Sequence, residues 1–82
     1  MMQISVDPDL WATNLLPEGV LEQWLRPDGA FVELGEPLVA VRIEGALHEL
    51  MAPANGWLTT DSKVNSVIEP GAIIGHIGRE EP

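Results

Sequence analysis

The sequence contains no cysteine, and this absence excludes several kinds of chemistry at once. A disulfide framework, a thiol nucleophile and a cysteine-type zinc site are all ruled out for this chain. The lack of cysteine fits a reducing compartment. No apolar run approaches the ~20 residues of a membrane-spanning helix, and the N-terminus lacks the basic and apolar regions of a signal peptide. We therefore expect a cytoplasmic protein with no membrane partner.

Basic residues are also scarce. Four Lys and Arg stand against 13 Asp and Glu, which gives a formal net charge of −9. Nucleic acids and anionic membranes require clustered cations, so neither is expected as a partner. An acidic surface favours solubility and association with basic protein surfaces. The 82 residues suffice for one small domain. We assign residues 1–78 to this domain and residues 79–82 to a flexible C-terminal tail.

Turn signals divide the sequence into short segments with the composition of β-strands. The predicted strands are residues 1–6, 19–25, 31–33, 38–43, 47–51, 56–60, 67–69 and 73–77. Residues 19–25 also show the apolar spacing of a helical face, but their short length and the bounding Gly19 and Pro27 favour a strand. Many short strands and seven prolines indicate an all-β sandwich or flattened barrel.

The second half of the sequence repeats the order of the first. Residues 56–60 correspond to 19–23, residues 67–69 to 31–33, and residues 73–77 to 38–43. The offset is about 36 or 37 residues, within the range of internal repeats, although two copies are too few for a solenoid. The repeat predicts a pseudo-twofold pair of interlocking strand sets. We expect burial of these residues: Leu21, Trp24, Val32, Leu38, Val41, Leu58, Ile68, Ile73 and Ile77.

Residues 41–56 predict a β-hairpin with an exposed tip at Glu44, Gly45 and Ala46. This stretch resembles the central hairpin of the lipoyl/biotinyl carrier (biotin/lipoyl attachment) domains. Glu44 matches their acidic position, Ala46 their small residue, and residues 52–56 their Ala-Pro…Gly corner. The resemblance extends from Ile4 to about Gly78 and includes the Gly-Glu-Pro-Leu run at 35–38. It implies a barrel-sandwich hybrid of two four-stranded antiparallel sheets related by a quasi-twofold axis.

The position of the modified lysine in that family is held by Gly45, which has no side chain to acylate. The resemblance therefore implies a degenerate domain without its own lipoate or biotin. Such a domain would be a docking or accessory module of a 2-oxo acid dehydrogenase-type or biotin-dependent enzyme system, with a component of that complex as its protein partner. The alternative is a genuine swinging-arm carrier of lipoate or biotin with a displaced attachment lysine. Lys63, the only lysine, is then the candidate. A plain structural module is a third possibility.

Other chemistry has little support in the sequence. His48 and His76 are the only histidines, and without cysteine they make a weak metal signal, so no metal site is expected. No Ser-His-Asp arrangement, P-loop or dinucleotide motif is present. We predict that the chain has no enzymatic activity and no catalytic residues. Arg42 stands where an acid often precedes the family motif, and we expect it to pair with Glu44 or Glu49.

Overall fold

The computed structural model of this protein describes residues 1–12 and 19–81. Over these residues the fold is all-β, with one turn of 3₁₀ helix at Pro8–Leu10 as its helical element. The strands are β1 (Met2–Ser5), β2 (Gly19–Trp24), β3 (Phe31–Val32), β4 (Pro37–Ile43), β5 (Ala46–Met51), β6 (Gly56–Thr60) and β7 (Ile73–Gly78). Pro82, assigned to the tail, lies outside the described residues, as do residues 13–18.

The strands form two antiparallel sheets. One has four strands in the order β1-β7-β6-β3, and the other has three in the order β2-β4-β5. The resemblance described above implied four strands in each sheet, and the strand expected at residues 67–69 is the one not formed. There Val67 makes only an isolated bridge to Val20. Asn65 adopts φ 72° and Pro70 has no N–H to donate, so little chain remains between them to extend the pairing.

Residues 19–24 form a strand despite their helix-like apolar spacing, as predicted. Leu21 pairs with Val41 and Trp24 with Val39, and the register shifts between Leu21 and Gln23. A β-bulge places one extra residue in a strand, so two side chains on the same face are separated by three positions across the bulge instead of two. Leu21 and Trp24 therefore face the same way at a spacing that resembles a helical period.

The core lies between the two sheets. The buried apolar residues are Ile4, Val6, Trp11, Leu21, Val32, Leu38, Val39, Ala40, Val41, Ile43, Ala52, Leu58, Ile68, Ile74 and Ile77. The predicted core was right apart from two residues. Trp24 is only partly buried and packs against the core from its margin. The predicted burial of Ile73 was wrong, since its side chain is 50% exposed while that of Ile74 is fully buried.

The error at Ile73 has a local cause in β7. Gly75 pairs with Ile4, but Ser5 pairs with Ile73, so Ile74 is an extra residue on β7. An extra residue reverses the alternation of side chains along a strand. Counting back in steps of two from the buried Ile77 therefore places Ile73 in the core, whereas the bulge turns Ile74 inward instead.

Candidate functional site: the β4–β5 hairpin

The hairpin tip is a two-residue turn. β4 and β5 are paired up to Ile43 and Ala46, and Glu44 and Gly45 connect them. Their φ angles are 51° and 83°. Positive φ at both central residues is the property of the type I′ turn, whose twist matches that of the flanking strands. The predicted turn is confirmed, and Gly45 adopts its angle without the steric penalty that other residues incur.

The tip projects into open space. Glu44, Gly45 and Ala46 are all exposed. A Cβ atom built on Gly45 would have no heavy atom within 4 Å apart from its chain neighbours. Any side chain at position 45 would therefore extend freely into solvent. The glycine itself offers no amine, so the tip does not fit covalent attachment of lipoate or biotin.

Two side chains fasten the tip to the segments beside it. The backbone N–H of Ala12 donates to Oε1 of Glu44 at 2.6 Å. Arg42 donates from its guanidinium to the carbonyl of Gly45 at 3.4 Å. The first contact joins the Glu44 side chain to the segment that contains Ala12, and the second joins the turn backbone to β4.

Arg42 pairs with Glu22, so the expected pairing with Glu44 or Glu49 is wrong. Its Nε lies 3.3 Å from Oε2 of Glu22. Arg42 stands opposite Val20 on β2, and the bulge that follows places Glu22 within its reach. Both side chains are nearly half exposed, so this ion pair contributes little to stability. The Arg42 guanidinium is the cation nearest the turn in sequence, and the Glu22 carboxylate balances its charge.

Lys63 lies away from the tip, in the turn that follows β6. Its carbonyl accepts hydrogen bonds from the N–H and Oγ of Ser66. The carbonyl of the preceding Ser62 accepts from Nε1 of Trp24 at 2.9 Å. Trp24 pairs with Val39, which is separated from the tip-proximal end of β4 by roughly 13 Å of strand. The structure therefore does not bring the only side-chain amine to the candidate attachment position.

The two histidines lie in different sheets, on β5 and β7. Nδ1 of His76 is 3.1 Å from Oδ2 of Asp61, whereas His48 stands opposite Val41. Across residues 1–12 and 19–81, no group of three or more His, Cys, Asp or Glu side chains is arranged to hold a metal ion.

The outer surface of β5 was missed by the sequence reasoning. Leu47 and Met51 are 54% and 47% exposed on the outer face of the strand. All six residues of β5 are exposed or only partly buried. The sequence did contain a signal for this exposed face, because the charged Glu49 lies two positions from both Leu47 and Met51.

No protein-family model matches the chain, and the comparison with curated proteins finds no significant match. Within the described part of the chain, no helix has the length and apolar character needed to cross a membrane. The function therefore has to be argued from the hairpin and the strands that support it.

Proposed function

We propose that this chain is a lipoyl/biotinyl-like domain that carries no cofactor of its own and acts by docking to another protein. Its partner would be a component of a 2-oxo acid dehydrogenase-type or biotin-dependent enzyme complex. The observation that carries the proposal is the β4–β5 hairpin. It displays Glu44, Gly45 and Ala46 at an open tip, with glycine in place of the lysine that a carrier needs.

The backbone hydrogen bonds of the two halves support the pseudo-twofold architecture of that family. Equivalent bonds recur at an offset of about 36 residues, which is the period of the sequence repeat. The matched bonds are Leu25 N to Leu38 O with Asp61 N to Ile74 O, Ala30 N to Pro27 O with Ser66 N to Lys63 O, and Glu36 N to Glu33 O with Ala72 N to Glu69 O. The positive φ angles follow the same relation, with Gly29 matched by Asn65 and Gly35 by Gly71.

The short pairing at residues 65–68 supports the same architecture. Leu21 N donates to Ser66 O and Ile68 N donates to Gly19 O. In the repeat, this segment corresponds to β3, which itself has only two residues and lies beside β6. A fourth, minimal strand beside β2 would give each sheet the same order of equivalent strands. This arrangement is the quasi-twofold barrel-sandwich hybrid that we propose.

The tip has no amine, and this favours a docking role over carriage of a cofactor. A swinging arm needs a primary amine that the ligase acylates, and Gly45 supplies none. The position of Lys63 in a different turn gives the alternative, a displaced attachment lysine, no support. What remains of the site is an exposed acidic hairpin on a domain of net charge −9, which favours association with a basic protein surface.

The test places a lysine at the tip. Gly45→Lys, produced with lipoate and biotin ligases, is expected to gain the mass of one lipoyl or biotinyl group, because the tip is open and displayed. Intact-mass spectrometry measures the gain. Wild type is expected to stay unmodified. The substituted tip is strained, since lysine at φ +83° costs about 1–2 kcal/mol relative to glycine.

Gly35→Lys is the matched control for this experiment. Gly35 also has a positive φ, +86°, and no heavy atom within 4 Å of an added Cβ. It therefore carries the same strain and exposure at a different turn and is expected to remain unmodified. The double variant Arg42→Glu with Gly45→Lys restores an acid beside the tip. Failure of both tip variants would contradict the assignment of position 45. Modification of wild-type Lys63 would make the protein an active carrier.

A further inference from the structure

The two sheets have four lateral edges, and three of them offer little backbone for pairing. β3 has only two residues, and β1 has four with an irregular register at its Ile4–Ser5 step. The outer side of β2 already pairs with residues 65–68. β5 is different, because it is a six-residue edge strand with no partner on its outer side among residues 1–12 and 19–81.

β5 also lacks the features that usually protect an edge strand. Natural edges carry lysine, proline, bulges or a covering segment that block pairing with another chain. The sequence Ala-Leu-His-Glu-Leu-Met contains no lysine or proline, and its register with β4 is regular from Ala46 to Leu50. Its only carboxylate is Glu49. As far as residues 1–12 and 19–81 are concerned, the edge is therefore open to a further strand.

The backbone of β5 has hydrogen-bonding groups available for such a strand. Ile43 and Ala46 close the two-residue turn, and the closing pair of such a hairpin exchanges both hydrogen bonds. Bonded and non-bonded pairs then alternate along the ladder. The N–H and C=O groups of Leu47 and Glu49 consequently point away from β4 and toward the open side.

The side chains of this edge specify what it would accept. Leu47, Glu49 and Met51 lie at a spacing of two and share one face of the sheet. Leu47 and Met51 are exposed to about half, and Glu49 is exposed between them. A strand placed against β5 would meet an apolar, an acidic and an apolar side chain in succession.

We propose that β5 binds an extended segment of a partner protein as an added strand, with a basic side chain opposite Glu49 and apolar side chains opposite Leu47 and Met51. The net charge of −9 favours a basic segment. The inference deepens the proposed docking function by naming the chemistry of the partner. It rests on the docking half of that function and is independent of the tip residue.

A second copy of this chain is a poorer occupant of the edge. Two copies joined edge to edge through β5 would be related by a twofold axis perpendicular to the sheet. Side chains that lie opposite each other share a face, so odd-numbered residues would pair with odd-numbered residues and even with even. Two registers overlap most of the strand. One places Glu49 opposite Glu49 of the second copy, and the other places Leu47 opposite Glu49 of the second copy. Both chains also carry a charge of −9. Like charges directly opposite one another are destabilising.

A surface groove extends the edge beyond Met51. It is lined by Gln3, Ile4, Ser5, Leu50, Met51 and Pro53. Gln3, Ile4 and Ser5 belong to β1 in one sheet, Leu50 and Met51 to the end of β5 in the other, and Pro53 to the corner that follows β5. A segment paired with β5 that runs past Met51 would enter this groove and contact both sheets.

The probe for this proposal is the synthetic peptide Thr-Val-Thr-Lys-Thr-Val-Thr, titrated into the ¹⁵N-labelled full chain and followed by NMR. Its valines and lysine share one face when extended. We expect the largest amide shifts at Leu47, Glu49 and Met51, and slower hydrogen exchange at Leu47 and Glu49. Two further peptides carry N-methyl groups on alternate residues. One of them is expected to lose at least roughly tenfold in affinity and the other to retain binding, because alternate amides face β5.

Two charge-reversed variants test the side-chain part. Glu49→Lys is expected to weaken peptide binding roughly tenfold, by removing the attraction and adding a like charge. Glu33→Lys makes the same change at another exposed position and is expected to bind as wild type does. Shifts centred on β1 or β3, indifference to both N-methyl series, equal loss in the two variants, or a peptide-free dimer with β5 at its interface would each overturn the proposal. None of these results depends on whether position 45 is modified by a ligase.

Discussion

Truncation of Ile74 to alanine is expected to lower the free energy of unfolding by about 2–5 kcal/mol, the usual cost of removing a buried aliphatic side chain. Ile74 is fully buried on β7. A domain of this size has a total stability of only about 4–12 kcal/mol. The variant is therefore expected to lose a large part of its stability, measured as the midpoint of urea unfolding followed by tryptophan fluorescence.

The neighbouring Ile73→Ala is the matched control, since it deletes the same atoms one position away. Ile73 is 50% exposed, and its truncation is expected to cost less than about 1 kcal/mol, in line with other surface changes. The contrast reports the bulge in β7 directly. If the two variants unfold at the same denaturant concentration, or if Ile73→Ala is the weaker protein, the register of β7 is wrong.

Most of the strand plan was predictable because it depends on local chemistry. The apolar segments begin and end at glycine and proline turns, and all the predicted strands except residues 67–69 are present within a residue or two of the expected positions. The hairpin tip was predictable for the same reason. A glycine between two strand-like segments needs only a short-range argument, and the observed φ of Gly45 agrees with it.

The β-bulges could not be predicted, because they are a property of the pairing between strands. The bulge at Ile74 changes which isoleucine is buried, and the one after Leu21 brings Glu22 to Arg42. Each of these details requires knowing the partner strand and its register. The open edge of β5 likewise follows from the strand order, which a list of strands does not contain.

Gly56, at the end of the corner formed by residues 52–56, leaves no room for a larger side chain. A Cβ on Gly56 would collide with the carbonyl oxygen of Gly78 and lie 2.5 Å from Cγ2 of Ile77. Both atoms belong to β7, the strand paired with β6. The carbonyl is backbone and Ile77 is buried in the core, so neither neighbour moves cheaply. Glycine is needed here so that the backbones of the two strands approach closely.

Gly56→Ala is accordingly expected to destabilise the domain by about 3 kcal/mol, the upper part of the usual range for overpacking, through displacement of β7 from β6. Gly78→Ala is the matched control on the strand it would strike, because a Cβ there has its nearest neighbours at 4.0 Å. Its effect is expected to stay within about 1 kcal/mol. Urea unfolding measures both, and amide exchange across β6 and β7 locates the damage. A Gly56→Ala protein as stable as wild type would mean that β6 and β7 do not approach as closely at this corner as described. The positions of Trp57 and Ile77 on these strands would then be wrong as well.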